Sequence, residues 1–372
     1  MPTSGEIQPL SLYFHLPFCS RKCPYCHFYV IPDRESHKEL LLPPLLLEIE
    51  SLKEKMNDHQ IVSIYFGGGT PSLFGAERVG KLLEAIGEVA PACEITLEAN
   101  PEDTTKELVD SYRRVGINRM SLGIQSLHES SLQMIERTHS AKGAEAAIWA
   151  IREGGIENFS IDLMYDLPGQ TVESFTHTLS KLKDLPATHV SLYNMTIEPH
   201  TPFHKRRKTL QLPSPEASHQ MLTQAVTTLE SIGLHRYEIS AFAKPGFESR
   251  HNTGYWTGRP FFGLGPSAFS YFEGRRFRNV ANIHRYTKAM EKGESPVDFE
   301  EKLPYPQNIQ ERLAVELRLL KGVDLEKFSP PPSLQSILEK LIEENYLLKE
   351  GNRVRLSEKG LLFYDTVASE IV

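Results

Sequence analysis

The chain has 372 residues, 40 % apolar and 24 % charged, a composition typical of a soluble globular protein with a substantial core. Its formal net charge of −7 gives no overall attraction to nucleic acids or anionic membranes. The most apolar stretch, residues 40–47, is short and contains Pro43 and Pro44, which argues against a membrane span. Four cysteines and no recognisable secretory leader favour a cytoplasmic protein over a disulfide-bonded secreted one.

Strand and helix patterns alternate along the first half of the chain. Strands are predicted at residues 11–15, 61–66, 94–98, 119–124, 159–164 and 189–193. Helices are predicted at residues 45–56, 76–89, 104–115, 129–136, 141–153 and 172–185. Because βαβ units of this length build parallel sheets, the α/β pattern predicts a partial (β/α)6 barrel over residues 1–200, open rather than closed at eight strands.

The second half of the chain has a less regular pattern. Within a linking region at residues 201–305, a basic loop at 204–208 precedes a helix at 215–232, and residues 234–279 are not assigned. Residues 306–372 are predicted to form a small winged-helix-like domain, with helices at 308–320, 333–344 and 357–368 and a hairpin at 346–356. Winged helices often bind DNA, but this segment is not strongly basic, so a structural or docking role is favoured.

Three of the four cysteines lie close together, at Cys19, Cys23 and Cys26. A structural zinc site would need a fourth ligand at a suitable distance. Cys93 is far away in sequence and is interpreted as a buried apolar side chain, while the direction of His27 is not defined by the sequence. Three thiolates on one loop can instead bind three irons of a [4Fe–4S] cluster and leave the fourth iron open to a ligand.

The C-x3-C-x2-C loop, with Tyr25 before its last cysteine, resembles the cluster loop of the radical S-adenosylmethionine (SAM) superfamily. The preceding residues 13–18 resemble the branch that contains oxygen-independent coproporphyrinogen III dehydrogenases (HemN) and HemW-like heme chaperones. The resemblance implies a [4Fe–4S] cluster bound by the three cysteines, with the amino and carboxylate groups of SAM on its open iron. Cluster and SAM would supply one-electron chemistry, and the protein would supply orientation and exclusion of water and oxygen.

The same resemblance implies a SAM site at the carboxyl ends of the strands, where barrel sites lie. Gly68, Gly69 and Thr70 end the second strand in a GGxTP motif, and glycines allow close approach of the backbone to a ligand. Glu98 ends the third strand and is expected to bind SAM, with a solvated charge as the alternative. Further SAM contacts implied by the family pattern are Tyr13, Tyr25, Gln125, Arg137, Asp162 and Thr196. In HemN several of these positions serve a second SAM molecule, so the number of SAM molecules stays open.

Two departures distinguish the chain from HemN-type dehydrogenases. Phe28 stands where those enzymes have a further cysteine, and the segment ahead of the first predicted strand is short. Residues 251–256 match the HNxxYW motif of HemW-like proteins. An imidazole can ligate heme iron, so the motif predicts His251 as the axial ligand, with Tyr255 and Trp256 against the porphyrin face. The arginines expected to meet the heme propionates are Arg259, Arg275, Arg276 and Arg278.

Three functions are compatible with these features. The first is a heme chaperone that binds heme and transfers it to acceptor hemoproteins, with any membrane contact made through a partner. The second is an anaerobic coproporphyrinogen III dehydrogenase, which decarboxylates two propionates to vinyl groups. The third is a zinc- or cluster-stabilised regulator whose C-terminal domain reads DNA, but the acidic net charge argues against it. The HNxxYW motif and Phe28 favour the heme chaperone.

Overall fold

A computed structural model describes residues 7–372. Its strands are β1 (Gln8–Leu16), β2 (Phe18–Cys19), β3 (Ile31–Pro32), β4 (His59–Gly68), β5 (Glu94–Ala99), β6 (Arg119–Gln125), β7 (Asn158–Tyr165), β8 (His189–Asn194), β9 (His235–Glu238), β10 (Ala241–Ala243), β11 (Phe261–Leu264), β12 (Phe269–Phe272), β13 (Arg275–Asn279), β14 (Val297–Lys302), β15 (Val323–Asp324), β16 (Leu347–Glu350) and β17 (Arg353–Leu356). Its α-helices are α1 (Glu35–Asn57), α2 (Ala76–Ile86), α3 (Lys106–Arg114), α4 (Glu129–Met134), α5 (Ala141–Glu153), α6 (Val172–Leu182), α7 (Pro202–Arg206), α8 (Pro215–Ser231), α9 (Arg250–Trp256), α10 (Ile283–Glu291), α11 (Gln307–Glu316), α12 (Pro332–Glu343), α13 (Glu358–Leu362) and α14 (Tyr364–Ile371).

One twelve-stranded sheet forms the body of the molecule, in the order β14-β13-β12-β11-β1-β4-β5-β6-β7-β8-β10-β9. The strands from β11 to β8 in this order are parallel, and the strands outside them are antiparallel. The two outermost strands, β14 and β9, are not paired with each other in the described part of the chain. The predicted open α/β arrangement is therefore confirmed, with β1 and β4 to β8 as the six predicted strands.

The predicted linking region contributes strands to the same sheet. Strands β9 and β10 extend it beyond β8, and β11 to β14 extend it beyond β1. These strands are short, and α9 lies between β10 and β11. Residues 234–279 therefore contain no long stretch of helical or strand periodicity from which their secondary structure could be predicted. The region thus widens the barrel sheet at both ends and brings the HNxxYW helix next to β1 and β4.

Alternation along the parallel strands separates an apolar face from a polar one. On β1 the even-numbered side chains from residue 10 to residue 16 are fully buried in the main core, which they share with the surrounding helices. The intervening Ser11, Tyr13 and His15 point to the opposite face of the sheet. The same alternation recurs on β5, where Ile95 and Leu97 belong to the core. Polar and aromatic side chains therefore line the inner face of the partial barrel.

Helix α1 begins at Glu35, well before its predicted start, and contains Pro43 and Pro44 in its interior. Interior prolines cost about 3 kcal/mol each because they remove hydrogen bonds. Leu41, Leu45 and Ile49 on this helix are fully buried in the main core, and each contributes roughly 1.5–3 kcal/mol by burial. Packing against the sheet therefore outweighs the local preference from which the shorter helix was predicted.

The C-terminal segment has its own core, built from α11, α12, α14 and a small sheet in the order β15-β17-β16. The predicted hairpin is present as β16 and β17, while the predicted last helix is divided at Phe363 into α13 and α14. Helices with a small antiparallel sheet agree with the winged-helix-like prediction, and the domain boundaries stay predictions. Between residues 7 and 372, no helix is both long and apolar enough for a membrane crossing.

Candidate functional site

The three clustered cysteines lie on a loop that two short strands close. Strand β2 pairs in parallel with β3, and the backbone N–H of Asp33 donates to the carbonyl of Cys19 at 3.0 Å. Within the loop, the backbone N–H of Cys26 donates to the carbonyl of Cys23 at 3.1 Å. All three thiols are free of disulfides and line one cavity of about 400 Å³. This volume lies in the range of about 300–1,000 Å³ that small-molecule sites occupy.

The donor set of this loop fits a [4Fe–4S] cluster. Among residues 7–372, no three His, Cys, Asp or Glu side chains are arranged to hold a single metal ion. In a cubane cluster each thiolate binds a different iron, so the sulfurs do not have to converge on one point. Burial raises the pKa of the Cys19 thiol to about 11 and also raises that of Cys26, so both are protonated until a metal displaces the proton.

Two polar side chains from other parts of the barrel, one after β4 and one between α4 and α5, contact the cysteine sulfurs. Thr70 Oγ1 donates to Cys19 Sγ at 3.7 Å, and Arg137 Nη1 donates to Cys23 Sγ at 3.4 Å. Asn100 connects them, because its Nδ2 donates to Thr70 Oγ1 at 2.9 Å and its Oδ1 accepts from Arg137 Nη2 at 2.7 Å. Donors around cluster sulfurs set the reduction potential of such clusters, so these side chains belong to the cluster environment.

Arg137 was expected to contact SAM, and the structure shows which protein groups it already contacts. Its Nη2 also donates to the carbonyl of Gly123 at 2.7 Å, and Glu102 lies 3.9 Å away. Its Nε finds no hydrogen-bond acceptor in the described chain. The guanidinium is therefore fixed by the protein and retains one unsatisfied donor in the wall of the cavity.

Two carboxyl groups lie on the inner face of the sheet beside the cysteine loop. Glu98 accepts hydrogen bonds from the Tyr65 hydroxyl at 2.8 Å and from the Gly68 N–H at 3.2 Å. Asp162 accepts from Ser121 Oγ at 3.0 and 2.9 Å. Burial, together with the charge of Asp162, raises the pKa of Glu98 to about 7, and burial raises the pKa of Asp162 too. Glu98 is thus a desolvated carboxyl group on the cavity wall rather than a solvated charge.

The glycine turn after β4 is required by packing as well as by ligand access. Gly68 has φ +109°, and a Cβ there would lie 2.6 Å from the ring of His15. A Cβ on Gly69 would lie 2.6 Å from the carbonyl oxygen of Phe18. At the end of β6, Gln125 adopts φ +68°, a strained conformation for a non-glycine residue that is found mostly at functional sites. The backbone at this edge of the cavity therefore adopts conformations that depend on the packing of the residues around it.

The cavity of about 400 Å³ beside the cysteine loop, called the smaller cavity below, brings together most of the predicted SAM-binding residues. Their role as SAM contacts stays a prediction. The predicted residues in its wall are Tyr25, Gly68, Gly69, Thr70, Glu98, Gln125, Arg137, Asp162 and Thr196. Sequence reasoning missed others in the same wall: Ala99, Asn100, Ser121, Gly123, Met164, Tyr193, Asn194 and Glu198. Most lie at or just beyond the carboxyl ends of β5 to β8, so the position of barrel sites could have identified them.

Tyr13 lies in the wall of a second, larger cavity of about 710 Å³. Strands β1 and β11 to β14, helix α9 and helix α11 contribute to it. Its aromatic residues are Tyr13, Tyr29, Tyr255, Trp256, Phe261, Phe269 and Tyr271, and its basic residues are Arg259, Arg276, Lys302 and Arg312. The cluster-loop residues His27 and Phe28 line both cavities. The two cavities are therefore neighbours that share part of one wall.

The basic residues of the larger cavity differ in their partners. Arg276 pairs with Glu301 and Glu311. Lys302 and Arg312 form no ion pair within the part of the chain that the structure describes, and both are exposed. The other predicted propionate partners lie outside this cavity: Arg275 pairs with Glu300 and Arg278 with Asp298. Arg259 likewise has no carboxylate partner among the described residues, and its Nη1 donates to Ser11 Oγ at 3.3 Å and to the carbonyl of Arg250 at 3.0 Å. Three cations without an ion pair thus remain at this cavity.

His251, the predicted heme ligand, is 1 % exposed and does not line the larger cavity. Its Nδ1 lies 3.0 Å from Ser63 Oγ, and its Nε2 lies 2.8 Å from the hydroxyl of Tyr255. Glu94 fixes the start of α9 by accepting from the backbone N–H groups of Arg250 and His251 at 2.9 and 3.0 Å. The axial role of His251 stays a prediction, but in this conformation neither ring nitrogen is free to bind iron.

Comparison with known proteins agrees with this architecture. Residues 13–182 match the radical SAM superfamily, and residues 303–363 match the HemN C-terminal domain. The solved structure of coproporphyrinogen III oxidase (HemN) from Escherichia coli superposes with a TM-score of 0.85, over 98 % of this chain and 90 % of that chain. At 23 % identity, this similarity establishes the fold alone. The radical SAM match supports a [4Fe–4S] cluster and SAM as the cofactors.

Similarity to curated proteins extends over nearly the whole chain. The heme chaperone HemW of Lactococcus lactis is 36 % identical over 95 % of this chain and 94 % of its own length. The heme chaperone HemW of Bacillus subtilis is 31 % identical over 96 % of this chain and 97 % of its own length. The chain therefore belongs to the HemW family of the radical SAM superfamily.

Proposed function

We propose that the chain is a heme chaperone, which binds heme and transfers it to acceptor hemoproteins. The observation that carries the proposal is the larger cavity, which Tyr255 and Trp256 of the HNxxYW motif line together with other aromatic residues and unpaired cations. The relatives from Lactococcus lactis and Bacillus subtilis carry the name heme chaperone HemW. A cytoplasmic site of action and acceptor proteins of the hemoprotein class are parts of the same proposal.

The volume and lining of the larger cavity suit heme, a flat macrocycle with an apolar ring system and two propionate groups. Aromatic side chains supply large apolar contact area and offset stacking. Phe261 packs edge-to-face against Tyr255 at 4.6 Å between ring centroids, which keeps that wall ordered. The buried Nε1 of Trp256 has no hydrogen-bond acceptor within residues 7–372, so this donor is unsatisfied in the heme-free protein.

Lys302 and Arg312 are suited to the two propionates of heme. Both line the cavity and are exposed, so a propionate that meets them keeps part of its hydration. Arg312 also packs over the ring of Phe328, with its guanidinium carbon 5.0 Å from the centroid. Arg312 lies on α11, in the segment that matches the HemN C-terminal domain. The C-terminal domain is thus proposed to supply one of the propionate contacts.

The smaller cavity is proposed to hold the cofactors. Cys19, Cys23 and Cys26 would bind the [4Fe–4S] cluster, and the residues at the strand ends would bind SAM. When bound, the cluster and SAM supply one-electron chemistry. The chain's own part is to orient them: Arg137 donates to Cys23 Sγ, and Glu98 presents a desolvated carboxyl group to the cavity.

A heme titration of the anaerobically reconstituted protein tests the proposal. Trp256→Leu removes the indole from the larger cavity and is expected to weaken heme binding about tenfold, or about 1.4 kcal/mol. Trp149→Leu is the matched control, because Trp149 is 45 % exposed on α5 and lies outside the cavity. Absorption in the Soret region reports binding, and transfer to an apo-hemoprotein is followed by recovery of that protein's own spectrum.

Two results would contradict the proposal. The first is a wild-type protein that does not bind heme, or that binds it with the same affinity after Trp256→Leu. The second is formation of protoporphyrinogen IX from coproporphyrinogen III with SAM and a reductant, because that reaction defines the dehydrogenase alternative. The expected outcome of the second assay is no product.

A further inference from the structure

The basic segment at residues 204–208 lies directly beside the cysteine loop. It forms the end of α7 and the turn that follows it. The backbone N–H of Phe203 on α7 donates to the carbonyl of Pro24, inside the cysteine loop, at 3.0 Å. The rings of Phe203 and Tyr25 also meet, with 6.3 Å between their centroids. Two parts of the chain that are distant in sequence therefore form one continuous surface.

A small core of its own holds α7 in this position. Phe203 is buried, and Tyr25 packs against the cluster to which Phe203 belongs. The other buried members of this cluster are Ile135, Met164, Leu167 and Met195. Thr201 caps the helix, because its Oγ1 accepts from the backbone N–H of His204 at 3.1 Å. The basic segment thus has a defined place next to the cysteines.

One carboxylate joins the cysteine loop to α7. Glu136 accepts from Arg21 of the loop at 2.6 Å and from Arg206 of α7 at 3.0 Å. Arg206 also lies over the ring of Phe203, with its guanidinium carbon 5.3 Å from the centroid. Because a single carboxylate serves two guanidinium groups, this part of the surface keeps an excess of positive charge.

The remaining cations of these two segments form no ion pair among residues 7–372, and all are exposed; they are Lys22, Lys205, Arg207 and Lys208. Lys22 and Arg207 donate to the backbone carbonyls of Phe28 and His204. Residues 19–28 and 200–212 contain six Lys or Arg and no Asp or Glu, although the net charge of the chain is −7. We call these six cations, with Arg21 and Arg206 included, the basic patch.

Exposed apolar side chains border the basic patch. Phe28 is 55 % exposed and lies two residues after the last cysteine, and Met134 is 47 % exposed and lies two residues before Glu136. Arg21 and Lys22 line the smaller cavity together with the three cysteines. Arg, Met and aromatic residues are enriched in protein interfaces. The basic patch therefore has the composition of an interface, at the edge of the cofactor cavity.

The cofactor chemistry requires a partner at this place. A [4Fe–4S] cluster takes up one electron at a time, and it must receive that electron from a donor. Cys93, the remaining cysteine, is buried and lines neither cavity, so the chain has no second set of cysteine ligands for another cluster. The electron must therefore come from another molecule, and the basic patch is the surface that adjoins the cysteine loop.

We propose that the basic patch is the docking surface for a small acidic protein that carries a one-electron redox centre. One electron passes from that centre to the [4Fe–4S] cluster, so the donor is oxidised by one electron and the cluster is reduced by one. No bond is formed or broken, and no proton is transferred. Opposite charges accelerate association and orient the partner, and redox encounters are typically small and transient. The proposal rests on the cluster and goes beyond heme binding.

An anionic membrane or a nucleic acid would also attract these cations. Both are extended polyanions that bind broad basic faces, whereas the net charge of −7 opposes their approach to the rest of the molecule. A small redox protein needs only a limited contact area. It also has a chemical reason to bind beside the cysteine loop. The acidic redox protein is therefore the favoured partner.

Flavodoxin, an acidic protein with an FMN cofactor, is the probe for this proposal. Anaerobic calorimetry measures its binding to the reconstituted protein, and stopped-flow absorbance of the flavin radical measures electron transfer from the FMN hydroquinone. At low ionic strength, Lys205→Glu/Lys208→Glu should weaken binding and lower the second-order rate constant of transfer about tenfold. The difference should shrink at high ionic strength, because both side chains are exposed.

Lys142→Glu/Lys349→Glu is the matched control. It makes the same change in net charge at exposed lysines of α5 and β16, outside the basic patch. This variant should bind flavodoxin and accept electrons like the wild type. Photoreduced deazariboflavin, a small neutral donor, should reduce the cluster equally fast in all three proteins, which checks that the substitutions leave the cluster intact.

Three results would overturn the proposal. The first is a wild-type protein that does not bind flavodoxin. The second is equal weakening of flavodoxin binding by the two double variants, because only net charge would then matter. The third is binding to vesicles that contain phosphatidylglycerol, weakened by Lys205→Glu/Lys208→Glu while flavodoxin binding is unchanged. A heme titration of the same proteins tests the proposed function separately, and we expect equal heme affinity in all of them.

Discussion

The smaller cavity lies where the parallel strands β4 to β8 end. The larger one lies between β1, the short helix α9, the β11–β14 extension and the C-terminal domain. The first is lined by thiols, carboxyl groups and glycines, and its polar groups are already hydrogen-bonded to each other. The second is aromatic, with cations that have no carboxylate partner among the described residues. A polar, preorganised site suits cofactors that stay, and an apolar site with an exposed rim suits a ligand that leaves.

This difference also concerns how rigidly each site is held. Arg137 contacts Cys23, Asn100 and Gly123, so a change at any one strand end affects the others. The larger cavity instead depends on contacts between distant segments, such as Arg318 of the C-terminal domain over the ring of Trp256 at 4.3 Å. The C-terminal domain is therefore an element whose displacement would open one cavity and leave the other intact.

The largest effect is expected from the cluster cysteines. Cys19→Ser, Cys23→Ser and Cys26→Ser should each lose the [4Fe–4S] cluster, because a three-thiolate site has no spare ligand. Iron and sulfide content and visible absorption after anaerobic reconstitution measure the loss. Heme affinity should fall much less than cluster content, because none of the three cysteines lines the larger cavity.

Cys93→Ala is the control for these variants, because Cys93 is buried beside β5 and does not line either cavity. It should retain a full cluster. A cluster that survives all three serine substitutions would refute the ligand assignment. A parallel loss of heme binding would show that the two cavities are not separate sites.

An intermediate effect is expected from Glu98. Its pKa is raised to about 7, so the carboxyl group is neutral below that pH and negatively charged above it. A charged carboxylate attracts the cationic SAM molecule, so SAM affinity should rise roughly tenfold between about pH 6 and about pH 8. Glu98→Gln should remove this dependence, as measured by anaerobic calorimetry.

Glu48 offers a matched control for the Glu98 experiment. Burial also raises the pKa of Glu48 to about 7, but its carboxylate accepts from Tyr286, Asn279 and the Gly265 N–H, away from either cavity. Glu48→Gln should therefore keep the pH dependence of SAM affinity. If wild type and Glu98→Gln respond alike to pH, Glu98 is not a SAM contact.

The smallest effect is expected at the rim of the larger cavity. Lys302→Gln removes an exposed cation, and exposed ion pairs are worth roughly 0.2–1 kcal/mol, so heme should bind about 1.4-fold to fivefold more weakly. The difference should shrink at high salt because the side chain is exposed. A heme titration at two ionic strengths measures it.

Arg275→Gln is the control for Lys302. Arg275 is half-buried on the neighbouring strand β13, pairs with Glu300 and Glu273, and does not line the cavity. It should leave heme affinity unchanged. Equal weakening by both substitutions would mean that the propionates respond only to the overall charge of this surface.

The smaller cavity could be predicted from sequence because its features are local. The cysteine spacing and the glycine turn are short motifs, and the strand ends of a parallel sheet meet at one edge. The larger cavity could not, because residues as far apart in sequence as His27, Tyr255 and Arg312 meet there only through tertiary packing. His251 illustrates the limit: the motif was identified from the sequence, but the hydrogen bonds of its imidazole to Ser63 and Tyr255 depend on the packing of α9 against β4.

His27 and Phe28, which line both cavities, can couple ligand binding in one cavity to ligand binding in the other. Both side chains are exposed and border the two cavities, and they directly follow the last cluster cysteine. A SAM molecule that shifts this dipeptide changes the space available to heme, and heme must then change the affinity for SAM by the same factor. Occupancy of the cofactor site would thereby regulate loading and release of the cargo without any SAM being consumed.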